Sequence, residues 1–565
     1  MHPHPAPAGH QSVPTAGITP EALQAMLLGD SEMALLDVRE ARAFHAGHLN
    51  LARSAPLSGL ELQIVSFVPR RRTTVVLYDD ADEEGGTAAR AATLLERLGY
   101  ADVRQLLGGL QAWEERGLPW IDGWNTLVKA FGDRVREHYG TRVLPLSDLQ
   151  VLRDSDAPVT LVDVRPPDEF AFLSIAGARN HPGTELALRA FPSGSREDGA
   201  GEPVWAVNCF SRTRGILGAT TLKVLGQRRA AFVEDGVMAW GLRGGLVLRN
   251  AEPVADLPTA APGVLAERAA LLRARADLRV IDAAQLTSWR SDPDRTLHIF
   301  DVRPEPGTAT AAAADVRHVP GGQVLMHFEQ LVGTRRARIV LVDDPHGLRA
   351  AVTAFWLKQF NQCEVAVLAG EAPPRSSPIR TVADRDDAIV PQVDAAALSA
   401  LLATGGTTIV DVGPSEDFER QHLPGARFLL PASMSPLAPL IVHGGAIVFT
   451  SPDGQAARVA AENARREWPG AALLLWLEGG THAWAASGRP TQADYAPDDL
   501  LTPFDDHWGS TMRVSASCRD AVWRHYLAWE RALAARVAHD PTVRFRLLDL
   551  DLALPEARKN PHVDS

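Results

Sequence analysis

VTLVDVRP (residues 159–166) is a short apolar strand that ends on Asp-Val-Arg, and it occurs four times in the chain with small changes. The other copies are MALLDVRE (33–40), LHIFDVRP (297–304) and TTIVDVGP (407–414). They lie a domain length apart, too far for a solenoid period. Each is followed by a second apolar strand: TTVVLYDD (73–80), PVWAVNCF (203–210), ARIVLVDD (337–344) and GAIVFTSP (445–452). An Ala-rich helical stretch comes next, then a third strand. In the first, second and fourth copies that strand leads to a Gly-containing turn and a tryptophan, Trp113, Trp240 and Trp484. The third copy keeps the strand as VAVLAGEAP (365–373) without the tryptophan. Non-alternating apolar strands separated by helices of this length predict parallel sheets covered on both faces. The fold class is α/β, with four tandem domains.

The boundaries follow from what lies between the copies. Residues 1–15, rich in Pro, Gly and His, read as a disordered tail, and the domains span 16–121, 140–250, 275–375 and 388–492. The stretches 122–140, 246–263 and 371–388 read as linkers. Residues 503–565 form a helical extension, in which Trp523, Tyr526 and Trp529 share a helical period. That extension is expected to pack on the last domain.

Composition narrows the function classes. The 565 residues are 45% hydrophobic and 22% charged, and 57 Lys+Arg against 69 Asp+Glu give a net charge of −12. That balance argues against a nucleic-acid partner, and no apolar run is long enough for a membrane span. The N-terminus lacks the basic start and apolar core of a secretory signal. Cysteine occurs only at 209, 363 and 518, too sparsely for a disulfide framework or a structural zinc site, so a reducing compartment, the cytoplasm, is expected.

In a parallel α/β sheet, chemistry belongs at the carboxyl ends of the strands, facing helix N-termini. At the end of the second apolar strand the second domain has Cys209, in the run Cys209-Phe210-Ser211-Arg212-Thr213-Arg214-Gly215. The matching loops of the other domains begin near Asp79 and Asp80, Asp343 and Asp344, and Thr450 and Ser451, and hold no cysteine. Three domains are therefore read as inactive. A thiol at a strand-to-helix turn beside arginines is expected to have a lowered pKa, and Arg212 and Arg214 offer forks for an oxyanion. Cys363 and Cys518 read as inert, and His48, His318 and His422 as turn hydrogen-bonders.

The repeated Asp-Val-Arg strand, the Gly-containing turn with its late tryptophan, and the Cys209–Arg214 loop together resemble rhodanese domains over about residues 16 to 492. So do Gly47-His48-Leu49-Asn50, His318-Val319-Pro320-Gly321 and Gln421-His422-Leu423-Pro424-Gly425-Ala426. The loop is most similar to multidomain rhodaneses whose motif reads Cys-x-Gly-Arg-Thr-Arg. Ser211 departs from that pattern at its glycine, and Ser174-Ile175-Ala176-Gly177-Ala178 departs from the Gly-His motif.

The resemblance implies four rhodanese-like domains, each a parallel five-stranded sheet. It also implies a thiosulfate sulfurtransferase working through a persulfide on Cys209. Phe210, Ser211, Arg212, Thr213, Arg214 and Gly215 would form the substrate loop, and Asp163 and Arg165 would brace it as an ion pair. No metal or organic cofactor is implied. The partners would be a small anionic sulfur donor and a thiol or cyanide acceptor, with no nucleic acid or membrane, and the oligomeric state is left open, a homodimer among the options.

Two alternatives stand beside this reading. One is a Cys-based phosphatase or arsenate reductase, whose loop carries five residues between Cys and Arg where this one carries four. The other is a non-enzymatic binding scaffold. The isolated second domain is expected to form the persulfide, with lower stability or selectivity than the whole chain.

Overall fold

A computed structural model describes residues 16–155, 157–191, 203–250, 254–305, 313–374, 389–471 and 473–550. The N-terminal tail, most of the 371–388 linker and the last fifteen residues lie outside them. The chain divides into two compact units. One holds the first and fourth domains, and the other holds the second and third domains with residues 125–140 and 510–550.

Each domain carries five parallel strands in one order. If the strands of a domain are counted along the chain, that order is first, fifth, fourth, second, third. In the second domain the counted strands are Arg142–Leu144, Val159–Asp163, Arg179–Asn180, Val204–Asn208 and Ala230–Val233. The first domain pairs its strands in the same order, as do the third and the fourth. The fourth strand is thus central in every sheet. It is apolar because it is buried on both faces: all five residues of Val204–Asn208 are inaccessible.

The Asp-Val-Arg signature is a buried turn. Asp163 and Arg165 are both fully buried and pair at 2.7 Å, and the Arg165 amide donates to the same carboxylate at 3.0 Å. Asp37 with Arg39 and Asp301 with Arg303 repeat the pair at 2.6 Å. In the fourth domain Gly413 replaces the arginine. Among the described residues Asp411 then keeps only the Gly413 amide, at 2.9 Å, and burial pushes its carboxyl up to about 7.

The Gly turn docks on the loop after the central strand. Val237 and Met238 donate their amides to the carbonyls of Cys209 and Phe210 at 3.0 Å. Leu110 and Gln111 do the same to Asp79 and Asp80, and Thr481 and His482 to Ser451 and Pro452. Gly236 has φ +55°, and a Cβ there would run into the Cys209 carbonyl, which is why glycine holds the position. The tryptophan that follows ties the turn down: Trp113, Trp240 and Trp484 donate to the carbonyls of Pro119, Leu246 and Pro490 at 2.8–3.0 Å.

Two expectations are corrected. The stretch 122–140, read as a linker, contains the helix Thr126–Tyr139, ten of whose residues are buried. It packs on Thr213–Val224, the helix that follows the Cys209 loop. The C-terminal extension is helical over Arg519–Val537 and not along its described flanks; Phe504 near its start packs on the fourth domain as expected, whereas the helix packs on the second. Its apolar stripe explains the destination, since Trp523 and Leu527 join the core cluster of Phe210, Val237 and Trp240. No described helix is long and apolar enough to cross a membrane.

Candidate active site

Cys209 directly follows the central strand of its sheet and is 2% exposed. The Gly215 amide, in the first turn of helix Thr213–Val224, hydrogen-bonds to its sulfur. The other three domains build the same contact around an oxygen. Asp79 accepts from the Ala88 amide at 2.9 Å, Asp343 from Ala350 at 3.1 Å and Ser451 from Ala457 at 3.2 Å. The register thus singles out Asp79, Asp343 and Ser451 as the counterparts of Cys209. In two of them the helix amide already faces a carboxylate of the chain itself, so an incoming anion would meet like charge.

The loop arginines face inward to carboxylates rather than standing open. Arg212 binds Asp235 at 2.7 Å and also Asp133 of helix Thr126–Tyr139. Arg214 makes two parallel bonds to Glu169, both 2.7 Å. Neither presents the unoccupied fork that the sequence suggested for an oxyanion. Arg165 also donates to the carbonyls of Leu173 and Glu169, and its guanidinium lies 5.8 Å from the Phe210 ring centre. Asp163 and Arg165 therefore brace the floor of the loop.

Residues distant in sequence close the other side. Phe210 meets Trp523 edge to face, with ring centres 5.7 Å apart. The Thr213 hydroxyl donates to Glu530 at 3.2 Å, and Ser211 lies near both Glu530 and Tyr526. Gly132 lets the preceding helix approach: a Cβ there would lie 2.9 Å from the Thr213 methyl. This burial pushes the Cys209 thiol up to about 11, although Arg214 and the Gly215 amide pull it back. That direction is opposite to the lowered thiol expected from the loop alone, because burial outweighs the arginine and the helix amide.

A cavity of about 460 Å³ lies against the loop's far side. Arg214, Leu217 and Gly218 contribute from the second domain, and Pro320, Gly321 and Trp356 from the third. Sequence reasoning missed Asp133, Glu169, Tyr526 and Glu530. A weak signal existed for two of them, since Trp523, Tyr526 and Glu530 fall on one helical stripe.

The remaining candidates take structural places. Burial pushes the Cys363 thiol up to about 12, and Cys518 is exposed beside Ser515. His48 and His422 bond the carbonyls of Phe44 and Phe418, and His318 that of Arg303. Among the described residues no group of His, Cys, Asp or Glu is placed to hold a metal ion.

Comparison with known proteins gives a consistent picture. A family profile described as "Rhodanese-like domain" matches residues 19–116 and 394–487, the first and fourth domains. The crystal structure of a thiosulfate sulfurtransferase from Pseudomonas aeruginosa is 31% identical, with a TM-score of 0.83, over 94% of this chain and all of that one. An uncharacterized protein of Synechocystis is 35% identical over 112 residues, 20% of this chain. The match spans 59% of that relative's length.

Proposed function

The chain belongs to the rhodanese family, and from that premise we propose that it is a sulfurtransferase with Cys209 as its one sulfur-carrying nucleophile. One observation carries the reading. Of the four structurally equivalent strand ends, only this one holds a thiol, and it sits against a helix amide; the others hold Asp79, Asp343 and Ser451.

The reaction runs in two displacements. The Cys209 thiolate attacks the outer sulfur of thiosulfate or a similar donor. A sulfur–sulfur bond forms to Sγ, and the donor's own bond breaks with its electron pair leaving on sulfite. The thiol proton goes to sulfite or solvent. A thiol or cyanide then attacks the outer sulfur of the persulfide and restores the thiolate. The Gly215 amide and the first turn of its helix face the negative charge in both states. No cofactor takes part in either displacement, and the spread of three unpaired cysteines fits a reducing, cytoplasmic setting.

The phosphatase alternative is disfavoured on geometry. That chemistry needs an arginine fork open to a tetrahedral oxyanion, and Arg214 has both its terminal nitrogens on Glu169.

Intact-mass spectrometry after incubation with thiosulfate tests the reading. The parent chain is expected to gain one sulfur, and Cys209→Ser none. A sulfur retained by Cys209→Ser would remove Cys209 from the reaction.

A further inference from the structure

The cavity of about 460 Å³ beside the Cys209 helix has no part in the exchange just described, and its walls come in matched pairs. Gly215 and Ala350 hold the same place at the start of two helices, Thr213–Val224 of the second domain and Leu348–Phe360 of the third. Counted on from them, Leu217 and Thr221 of one helix answer to Val352 and Trp356 of the other, and all four line the cavity. The Trp356 indole donates to the Thr221 hydroxyl at 3.0 Å, so equivalent positions meet. The turns agree with this. Gly183 donates its amide to the Val164 carbonyl at 2.9 Å, and Gly321 donates to Val302 at 3.1 Å. A Cβ on Gly183 would lie 2.6 Å from the Gly322 Cα, so the two turns approach as only glycine allows. The same surface of two related domains encloses the cavity from both sides.

The two halves differ in charge. Arg349 of the third domain reaches across to Glu185 of the second, with one bond of 3.0 Å, and also holds Asp344 at 2.7 Å. Arg214 is its counterpart, and by the same symmetry it would reach across to Gln323, the counterpart of Glu185. Gln323 is neutral and half-buried on the cavity wall, and its side-chain amide has no partner among the described residues. Arg214 turns instead to Glu169 of its own domain, with two bonds of 2.7 Å. The chain itself therefore neutralises both Arg214 and Glu185. The third charged residue of the lining, Glu305, is exposed and opposes an anion. What is left for a ligand is an apolar wall, chiefly Leu217, Leu325, Val352 and Trp356, with the Gln323 amide.

We propose that this cavity seats the body of the sulfur acceptor, and that the acceptor it fits is an uncharged apolar thiol. The inference rests on the reading of Cys209 as the sulfur carrier. One helical turn joins the two places, because it carries both Gly215, whose amide holds the Cys209 sulfur, and Arg214, which lines the cavity. The acceptor's sulfur bonds to the outer sulfur of the persulfide. The bond to Sγ breaks with its electron pair returning to Sγ, the thiol's proton goes to Sγ or solvent, and the product is an alkyl persulfide. A charged tail would give up its hydration for a wall whose own charges are already paired. An apolar tail gains by the same move.

The test uses the full chain, loaded from thiosulfate, with two acceptors of equal chain length, 1-hexanethiol and 6-mercaptohexanoate. Their thiols are alike, so the ratio of their kcat/KM values reports on the tail alone. The parent is expected to prefer 1-hexanethiol by about tenfold or more. Gln323→Lys sets a cation in the wall and should cut that preference about tenfold, chiefly by raising kcat/KM for the carboxylate. Val352→Trp narrows the cavity and should lower kcat/KM for 1-hexanethiol about tenfold. 1-Hexanol, which cannot accept sulfur, is the binding probe: saturation-transfer NMR should show it bound to the parent and less so to Val352→Trp.

Equal use of the two thiols by the parent overturns the proposal, as does a preference that Gln323→Lys leaves unchanged. Should Val352→Trp not fold, Gln323→Lys decides alone, since a half-buried position takes a lysine without repacking the core. Hexanol that fails to bind the parent also overturns it, whatever the sulfur does. Hexanol bound by a parent that takes up no sulfur would reject the exchange reaction and the acceptor role with it, and leave the cavity as a site for uncharged apolar ligands.

Discussion

At the scale of single residues, both arginines of the Cys209 loop are held by carboxylates, Arg212 by Asp235 and Arg214 by Glu169. Arg212 looks like an anion fork when only its neighbours in sequence are visible. In the fold it is 11% exposed and spans Asp133 and Asp235, two carboxylates that are themselves buried. Removing it leaves both short of a partner, although Arg136 and Arg531 still reach them. Arg212→Ala is therefore expected to destabilise the unit by about 2 kcal/mol or more. The Michaelis constant for thiosulfate should change by less than about threefold, well under the tenfold that 1.4 kcal/mol of lost donor binding would give. Thermal unfolding and steady-state kinetics on one preparation check this, and a large kinetic change with unaltered stability would return Arg212 to the donor site.

At the scale of elements, the strands were legible because their burial is written locally. An uninterrupted apolar run ending on Asp can only be a covered strand, and each such run named a central or neighbouring strand of a sheet. The loop position of Cys209 followed from the same register. The two added helices were not legible in this way. Thr126–Tyr139 has Lys129 and Asp133 on a sequence that reads as exposed linker, yet those charges are matched by groups far along the chain. The stripe of Trp523, Tyr526 and Glu530 was visible, but its partner surface was not, because nothing local says which domain an amphipathic face will cover.

The Asp-Val-Arg turn shows the same limit and yields a pH prediction. In the fourth domain Gly413 leaves Asp411 without a guanidinium, and its carboxyl rises from the ordinary 3.8 to about 7. Between those values the folded chain holds a proton that the unfolded chain has lost. Stability from this group is therefore full below about pH 4, falls as pH rises to about 7, and stays lost above it. Asp411→Asn should match the parent near pH 4 and exceed it at pH 8 by about 2–4 kcal/mol. Urea unfolding at the two pH values measures the difference, and a constant offset between them would show that Asp411 carries no such proton.

At the scale of the whole molecule, the question is where the catalytic domain ends. Sequence repeats place it at residues 140–250 and suggest that this piece would take up sulfur by itself. The structure argues against that boundary. Trp523 is fully buried and Leu527 nearly so, within the core cluster that holds Phe210 and Trp240, so the domain's core is completed by a helix almost three hundred residues downstream. Asp133 and Lys129 arrive from upstream, and Tyr526 and Glu530 again from the C-terminal helix. A fragment of 140–250 would expose the apolar face under Trp523, an absence worth about 3–5 kcal/mol for the tryptophan alone. It would also leave Arg212 with Asp235 as its remaining carboxylate partner. Such a loss approaches the whole stability of a domain this size. The fragment is therefore expected to show weak near-ultraviolet circular dichroism, broad unfolding and no sulfur uptake from thiosulfate. A fragment extended to begin at residue 125, supplied with a separate peptide of residues 510–550, should recover both structure and persulfide formation on Cys209. A folded 140–250 fragment that takes up sulfur at the parent rate would instead show the two helices to be dispensable to the chemistry.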